Sequence, residues 1–192
     1  MEINSEATSH NHKLEDIFVN SLIPKAVDNS SVLDVGCGEF LRHSNYLAKK
    51  GFNVNIVEVP NQIRKMDGLK LVENKIGVYT EIPDKKYDVV LLNYVLNILP
   101  TVEERSKMLD KCIGATNQYL MVSVRNLKFI QTFCKKAERY NDGFILEREG
   151  LKTFNIGYSK ENIFSLLESK NLDILNYEKA TFDHRFICLK SS

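Results

Sequence analysis

Paired cysteines are missing. The four that exist, Cys37, Cys112, Cys134 and Cys188, stand far apart and form no C-x-x-C pair. They read as reduced thiols of a cytoplasmic protein. His10-Asn11-His12 has the wrong spacing for one helical face and no Cys or acid cluster beside it, so no metal site is expected. Charge of one sign is also missing: 26 Lys and Arg face 25 Asp and Glu, a formal +1. That balance argues against tight, non-specific binding of polyanions, which rests on clustered cations. No apolar run approaches the ~18 residues of a membrane span. Met1 to His12 is polar and acid-containing, without the basic and apolar blocks of a signal peptide. There is no Pro-, Gly- or Ser-rich linker and no internal repeat. A tail over 1–12 and a single domain over 13–192 are therefore expected.

What is present is centred on Ser31 to Phe40. Val32-Leu33-Asp34-Val35 is a short apolar strand with one acid inside it, and Gly36-Cys37-Gly38 is a turn almost without side-chain bulk. A ligand can approach such a backbone closely, facing the N–H groups that open the next helix. Upstream, Leu14, Ile17, Phe18, Leu22 and Ile23 recur at helical spacing, with Pro24 predicting a kink. Downstream, a helix is expected over 39–50 and a strand over 52–59 ending in Glu58. A helical stretch broken at Gly68 and a strand over 75–82 follow. Val89-Val90-Leu91-Leu92 suits a central strand covered on both faces. Thr101-Val102-Glu103-Glu104 caps a helix that runs to about Cys112, and the fifth strand covers 118–124. The 126–158 stretch is irregular, with a mixed helix, a turn at Asn141-Asp142-Gly143 and a hairpin, and reads as an insertion. A helix from Ser159 and two closing strands joined by a turn at Asp183-His184 complete an α/β order.

The glycine turn admits several nucleotide folds. A dinucleotide fold needs G-x-G-x-x-G, but Leu41 stands at the third glycine, and no G-x-x-x-x-G-K-[ST] phosphate loop exists. What remains, Asp34 before Gly36-Cys37-Gly38 and Glu58 at the end of the next strand, resembles motif I of the class I S-adenosylmethionine (SAM) methyltransferases. The resemblance implies a Rossmann-like fold with a seven-stranded, mostly parallel sheet and a C-terminal antiparallel hairpin. It also implies SAM as cofactor and a Glu58 carboxylate that accepts from both ribose hydroxyls. Asp34 either braces the turn or meets a cationic ligand, and Glu58 is otherwise a solvated strand end. Cys37 reads as a small filler, since methyl transfer from a sulfonium needs no thiol. Tyr79-Thr80-Glu81 stands where the family places residues near the adenine.

After the fourth strand, Asn93 is placed by the resemblance at the methionine end of SAM, with Tyr94 or Asn97 near the acceptor. Tyr94 as core and Asn97 as a helix-entry cap are the alternatives. A narrower resemblance is to the DNA phosphorothioation-associated methyltransferases. It is carried by Asn93 to Pro100 with Glu104-Arg105, Val122 to Arg125, Asp142-Gly143, Lys152-Thr153-Phe154 and Tyr158-Ser159. Leu151-Lys152 before Thr153, and Asn155-Ile156 after Phe154, depart from its G-T-F-Q-K segment. It implies Arg125, Asp142, Thr153 and Tyr158 on the acceptor side, but it is named for a gene association and does not make DNA the acceptor. The [DN]-P-P-[YF] motif of amino-methylating DNA enzymes and the Pro-Cys of cytosine C5 enzymes are both absent, which excludes base flipping for those two chemistries. Lys135, Lys136 and Arg139 either meet a polyanion or form a solvated face. The expected function is transfer of a methyl group from SAM to an unidentified acceptor, nucleic acid or small molecule. A non-catalytic SAM-binding partner module and a dinucleotide oxidoreductase are the alternatives.

Overall fold

A computed structural model describes residues 30–148 and 150–190. The expected tail and the helix broken at Pro24 lie outside them. Strand β1 is Ser31–Val35, buried from Val32 onward. Helix α1 is Arg42–Lys49, starting three residues later than periodicity suggests. The delay lies in the backbone: Gly36, Gly38 and Leu41 all adopt positive φ, so the chain stays open as a loop until Leu41. Strand β2 is Asn53–Val57, followed by two short helices, α2 (Pro60–Ile63) and α3 (Gly68–Glu73). The break comes at Asp67, whose carboxylate caps α3 by accepting from the Leu69 N–H at 3.1 Å. Strand β3 is Gly77–Tyr79, shorter than expected, and β4 is Tyr87–Asn93 with Val89 to Leu92 buried.

A 3-10 turn, Val95–Asn97, leads to α4, Val102–Ala115. A reciprocal capping box fixes its start: Thr101 accepts from the Glu104 N–H at 3.1 Å, and Glu104 accepts from the Thr101 N–H at 3.0 Å. Strand β5, Thr116–Arg125, is followed by α5, Leu127–Phe133. Strands β6 (Glu138–Tyr140), β7 (Gly143–Arg148) and β8 (Leu151–Asn155) form a separate antiparallel sheet. Helix α6 is Lys160–Glu168, and β9 (Leu172–Lys179) and β10 (Asp183–Lys190) close the main sheet.

The main sheet has seven strands in the order β3-β2-β1-β4-β5-β10-β9. The first five are parallel, and β10 runs antiparallel to both β5 and β9. The order reverses direction of travel at β1 and β4, so the C-terminal ends of these two strands open a crevice. The expected turn at Asp183-His184 is in fact the first two residues of β10, in register with Arg125 and Val124 of β5. The bend lies one step earlier, where the Ala180 N–H donates to the Asp183 carbonyl at 3.0 Å.

The second sheet does not stand apart. Ile145, Phe154 and Ile156 belong to the same buried cluster as Leu92, Leu96 and Val122. Gly157 makes the return possible, because a Cβ there would come within 2.7 Å of the Leu127 Cα and 2.8 Å of the Asn126 carbonyl. Among the described residues, no helix is long and apolar enough to cross a membrane, and no cluster of His, Cys, Asp and Glu could hold a metal ion.

Candidate cofactor and acceptor site

The crevice at the ends of β1, β2 and β4 opens into a cavity of about 420 Å³. That is within the usual range for a small-molecule site. One end is the glycine turn. The Gly36 N–H donates to the Val57 carbonyl at 2.8 Å, which ties the turn to β2. Gly36 has φ +70°, and a Cβ on it would collide with the Val95 methyl. Only glycine therefore leaves this edge of the cavity open.

Glu58 faces the turn. Its Oε2 accepts from the Gly38 N–H at 2.8 Å and its Oε1 from the Val59 N–H at 2.9 Å. Both oxygens thus pin the loop on the cavity side of the turn. Asp34 lies beneath the turn and is fully buried. Its Oδ2 accepts from the Ser44 hydroxyl at 2.6 Å, while its Oδ1 is buried without a partner. Burial pushes the carboxyl up to about 6, with the Ser44 hydroxyl acting the other way. Asp34 is not among the described residues that line the cavity, so its carboxylate ties β1 to α1 through Ser44 from beneath the turn and does not face a ligand. Burial, then the charges of Asp34 and Glu58, raise the Cys37 thiol well above its ordinary value, so it is not poised as a nucleophile.

The other end is built on Asn93, Tyr94 and Arg125. The Asn93 Oδ1 accepts from the Ser123 hydroxyl at 2.8 Å, and its Nδ2 lies 3.3 Å from the His43 Nδ1, so the amide is held between β5 and α1. Tyr94 has φ 63°, a left-handed backbone that costs energy for a residue with a side chain. Its N–H donates to the Ser123 carbonyl at 2.8 Å, and its hydroxyl to the Asp183 Oδ2 at 3.1 Å. The Arg125 guanidinium sits 4.4 Å from the centre of the Tyr94 ring and 5.2 Å from that of Phe129. Its Nη1 donates to the Asp183 Oδ1 at 2.6 Å. Burial and the Asp183 charge raise the Tyr94 phenol to about 12, against the opposing pull of Arg125 and Arg185. Tyr94 is therefore a neutral, fixed ring.

Gly36, Cys37, Gly38, Glu58, Asn93, Tyr94, Asn97 and Arg125 all line this one cavity, and Thr80 joins them. Asn97 lines it with its amide already engaged: Oδ1 accepts from the Arg125 N–H at 3.1 Å and Nδ2 donates to the Ile156 carbonyl at 2.6 Å. It staples the turn after β4 to β5 and to the end of β8, rather than capping a helix. Three residues implied for the acceptor side lie elsewhere. Asp142 pairs with Arg105 at the start of the second sheet. The Thr153 hydroxyl donates to the Leu146 carbonyl at 3.3 Å within the β7–β8 hairpin. The buried Tyr158 hydroxyl donates to the Leu96 carbonyl at 3.2 Å.

Asp183 escaped the reading of the sequence, which took it for a turn residue. Its buried carboxylate holds Tyr94, Arg125 and Arg185, the last through Nη2 at 3.2 Å. The available signal was the charged pair Asp183 and Arg185 at the head of an otherwise apolar strand.

The glycine turn, the acid ending β2 and a sheet closed by an antiparallel pair define the class: a SAM-dependent methyltransferase of class I. Solved structures share this fold. A SAM-dependent methyltransferase from Methanosarcina mazei is 17% identical with a TM-score of 0.74, over 94% of this chain and 99% of that one. One from Clostridium acetobutylicum is 13% identical with a TM-score of 0.74, over 97% and 94%. Magnesium protoporphyrin IX methyltransferase from Synechocystis, with bound SAH, is 18% identical with a TM-score of 0.67, over 92% and 81%. No curated protein sequence matches. Residues 5–182 match the family model of 25S rRNA (adenine(2142)-N(1))-methyltransferase, Bmt2, and the chain belongs to that family.

Proposed function

We propose that this protein methylates the N1 atom of an adenine in ribosomal RNA. The observation that carries it is the chemistry of the acceptor end of the cavity. Tyr94, Arg125 and Phe129 present flat aromatic and guanidinium surfaces there, and among the described lining residues the only carboxylate is Glu58, at the cofactor end. Adenine N1 carries an in-plane lone pair and no proton, so it needs orientation and no general base. An exocyclic amine would need its proton taken up, and the loop after β4 lacks the proline-bearing motif of enzymes that methylate such amines. The family to which the chain belongs is described by adenine N1 methylation of rRNA, which supports the same choice.

SAM supplies an electrophilic methyl group on sulfur. The protein's part is placement. Glu58 and the glycine turn hold the cofactor end, and Tyr94 and Arg125 offer a face on which a base stacks. Asn93, fixed by Ser123 and His43, stands between the two ends. Orientation of this kind contributes at most on the order of 7–11 kcal/mol. Adenine N1 is on the Watson–Crick edge, so the target must be unpaired when it enters.

The test is transfer of labelled methyl groups from SAM into fractionated rRNA, DNA, protein and small molecules. Digestion of the labelled fraction should yield 1-methyladenosine from rRNA, and reverse transcription should stop at the modified site. Label in DNA alone would favour the resemblance to the DNA phosphorothioation-associated enzymes. Label nowhere, with SAM bound, would favour a non-catalytic SAM-binding module.

A further inference from the structure

The aromatic floor of the acceptor end continues outward to the surface. Arg125 touches the Phe129 ring, and Phe129 lies 5.0 Å, centre to centre, from Phe182. Phe182 stands in the bend between β9 and β10 and is 51% exposed. The two segments are one rim. The Asn126 N–H donates to the Phe182 carbonyl at 2.8 Å, and the Asn126 Nδ2 to the Thr181 carbonyl at 3.0 Å. An exposed phenylalanine held at the end of a chain of rings, beside a cavity, is a surface on which a base can stack.

The same rim is basic against a chain that is nearly neutral. The 126–137 segment holds Lys128, Lys135 and Lys136 and no acid, while the whole chain has a formal charge of +1. All three lysines are exposed, and no ion pair among the described residues engages them. Phe129, Ile130 and Phe133 of α5 line the cavity. Lys128 is one residue from that face, and Lys135 and Lys136 follow directly at the end of the helix. Rings facing the cavity with cations alongside is the pattern that takes single-stranded nucleic acid: rings for bases, ammonium groups for phosphates.

On the footing that RNA is the acceptor, we infer that α5 and the β9–β10 bend form the dock for the strand flanking the target adenine. Phe182 stacks a neighbouring base, and Lys128, Lys135 and Lys136 meet phosphates. The rim therefore distinguishes an RNA strand from a free nucleoside.

The full chain is assayed with a short single-stranded RNA bearing one adenine, by anisotropy for binding and by labelled SAM for transfer. Two variants are compared: Phe182→Ala, and Lys128→Gln combined with Lys135→Gln and Lys136→Gln. Phe182→Ala should weaken RNA binding roughly 5- to 150-fold. The triple lysine variant should lower the slope of log affinity against log salt by about 2. Both should raise KM for RNA and leave kcat at saturating RNA, and SAM affinity by calorimetry, unchanged. Wild-type transfer to RNA with unaltered KM in both variants would overturn the dock and leave the proposed acceptor standing. A wild-type chain that neither binds nor methylates RNA would overturn both. Loss of SAM affinity along with RNA affinity would show the rim to be structural and overturn the dock.

Discussion

Glu58 has both oxygens on backbone N–H groups, Gly38 of the glycine turn and its own neighbour Val59, so it holds the turn in place at the edge of the cavity. Each hydrogen bond to such a charged group contributes about 1.5–3 kcal/mol. Glu58→Ala should therefore weaken SAM binding roughly 100-fold or more, measured by calorimetry, and unchanged affinity would remove Glu58 from the site. Asp34 is a different kind of acid. Burial raises its carboxyl from 3.8 to about 6, so the folded protein takes up this proton before the unfolded chain does. Its contribution to stability is complete below about pH 3.8 and is lost as pH rises through about 6. Above that, the fold carries a buried charge. Asp34→Asn removes the titration. Its stability relative to wild type should rise by on the order of 2–3 kcal/mol between about pH 4 and pH 7 and then level off, as read by urea unfolding across that range. A pH-independent difference would show that the site does not titrate as its burial requires. Both acids were legible from their place beside glycine and strand end. Their different duties were not, because burial and partners are set by residues distant in the chain, such as Ser44.

Among elements, β10 departs most from what its sequence suggests. An Asp-His pair between two expected strands has the composition of a turn. Asp183 is instead drawn into the strand because Arg125, opposite it in β5, and Arg185 in β10 itself both need an anion in a buried place. The carboxylate so placed also holds the loop after β4 through Tyr94. Asp183→Asn removes the buried counter-charge of Arg125, while Arg185 keeps Glu178 at 3.2 Å, and should destabilise the fold by about 3–5 kcal/mol, measured by urea unfolding. A loss below ~1 kcal/mol, the range of exposed pairs, would show that this cluster is solvated. The elements that were legible are those whose signal is local. The capping box starts α4 where Thr101 and Glu104 place it, and the apolar run of β4 is a central strand. The second sheet was legible only as a turn and a hairpin. Its third strand, β6, is three residues long and exists by pairing with β7.

At the scale of the whole molecule, the second sheet shares its buried cluster with the main sheet, and the cavity lies between α5 and the glycine turn. A ligand bound there bridges both halves of the crevice. S-adenosylhomocysteine at about a hundred times its Kd should stabilise the protein by about 2.7 kcal/mol, a rise in Tm of roughly 5–11 °C. NAD should give none, and a shift with NAD in place of S-adenosylhomocysteine would restore the dinucleotide reading that Leu41 argues against.

By itself, the sequence determined the class of cofactor site. A glycine turn after an apolar strand and an acid ending the next are local patterns, fixed by backbone freedom and strand length. Only the tertiary structure decided which residues line the far end of the cavity. Asp142, Thr153 and Tyr158 stand near one another in the chain but face Arg105, Leu146 and Leu96 rather than the cavity. Asp183, 89 residues from Tyr94, is the group that fixes it. Contacts between strands so far apart depend on register and burial, and neither is written in any short stretch of residues.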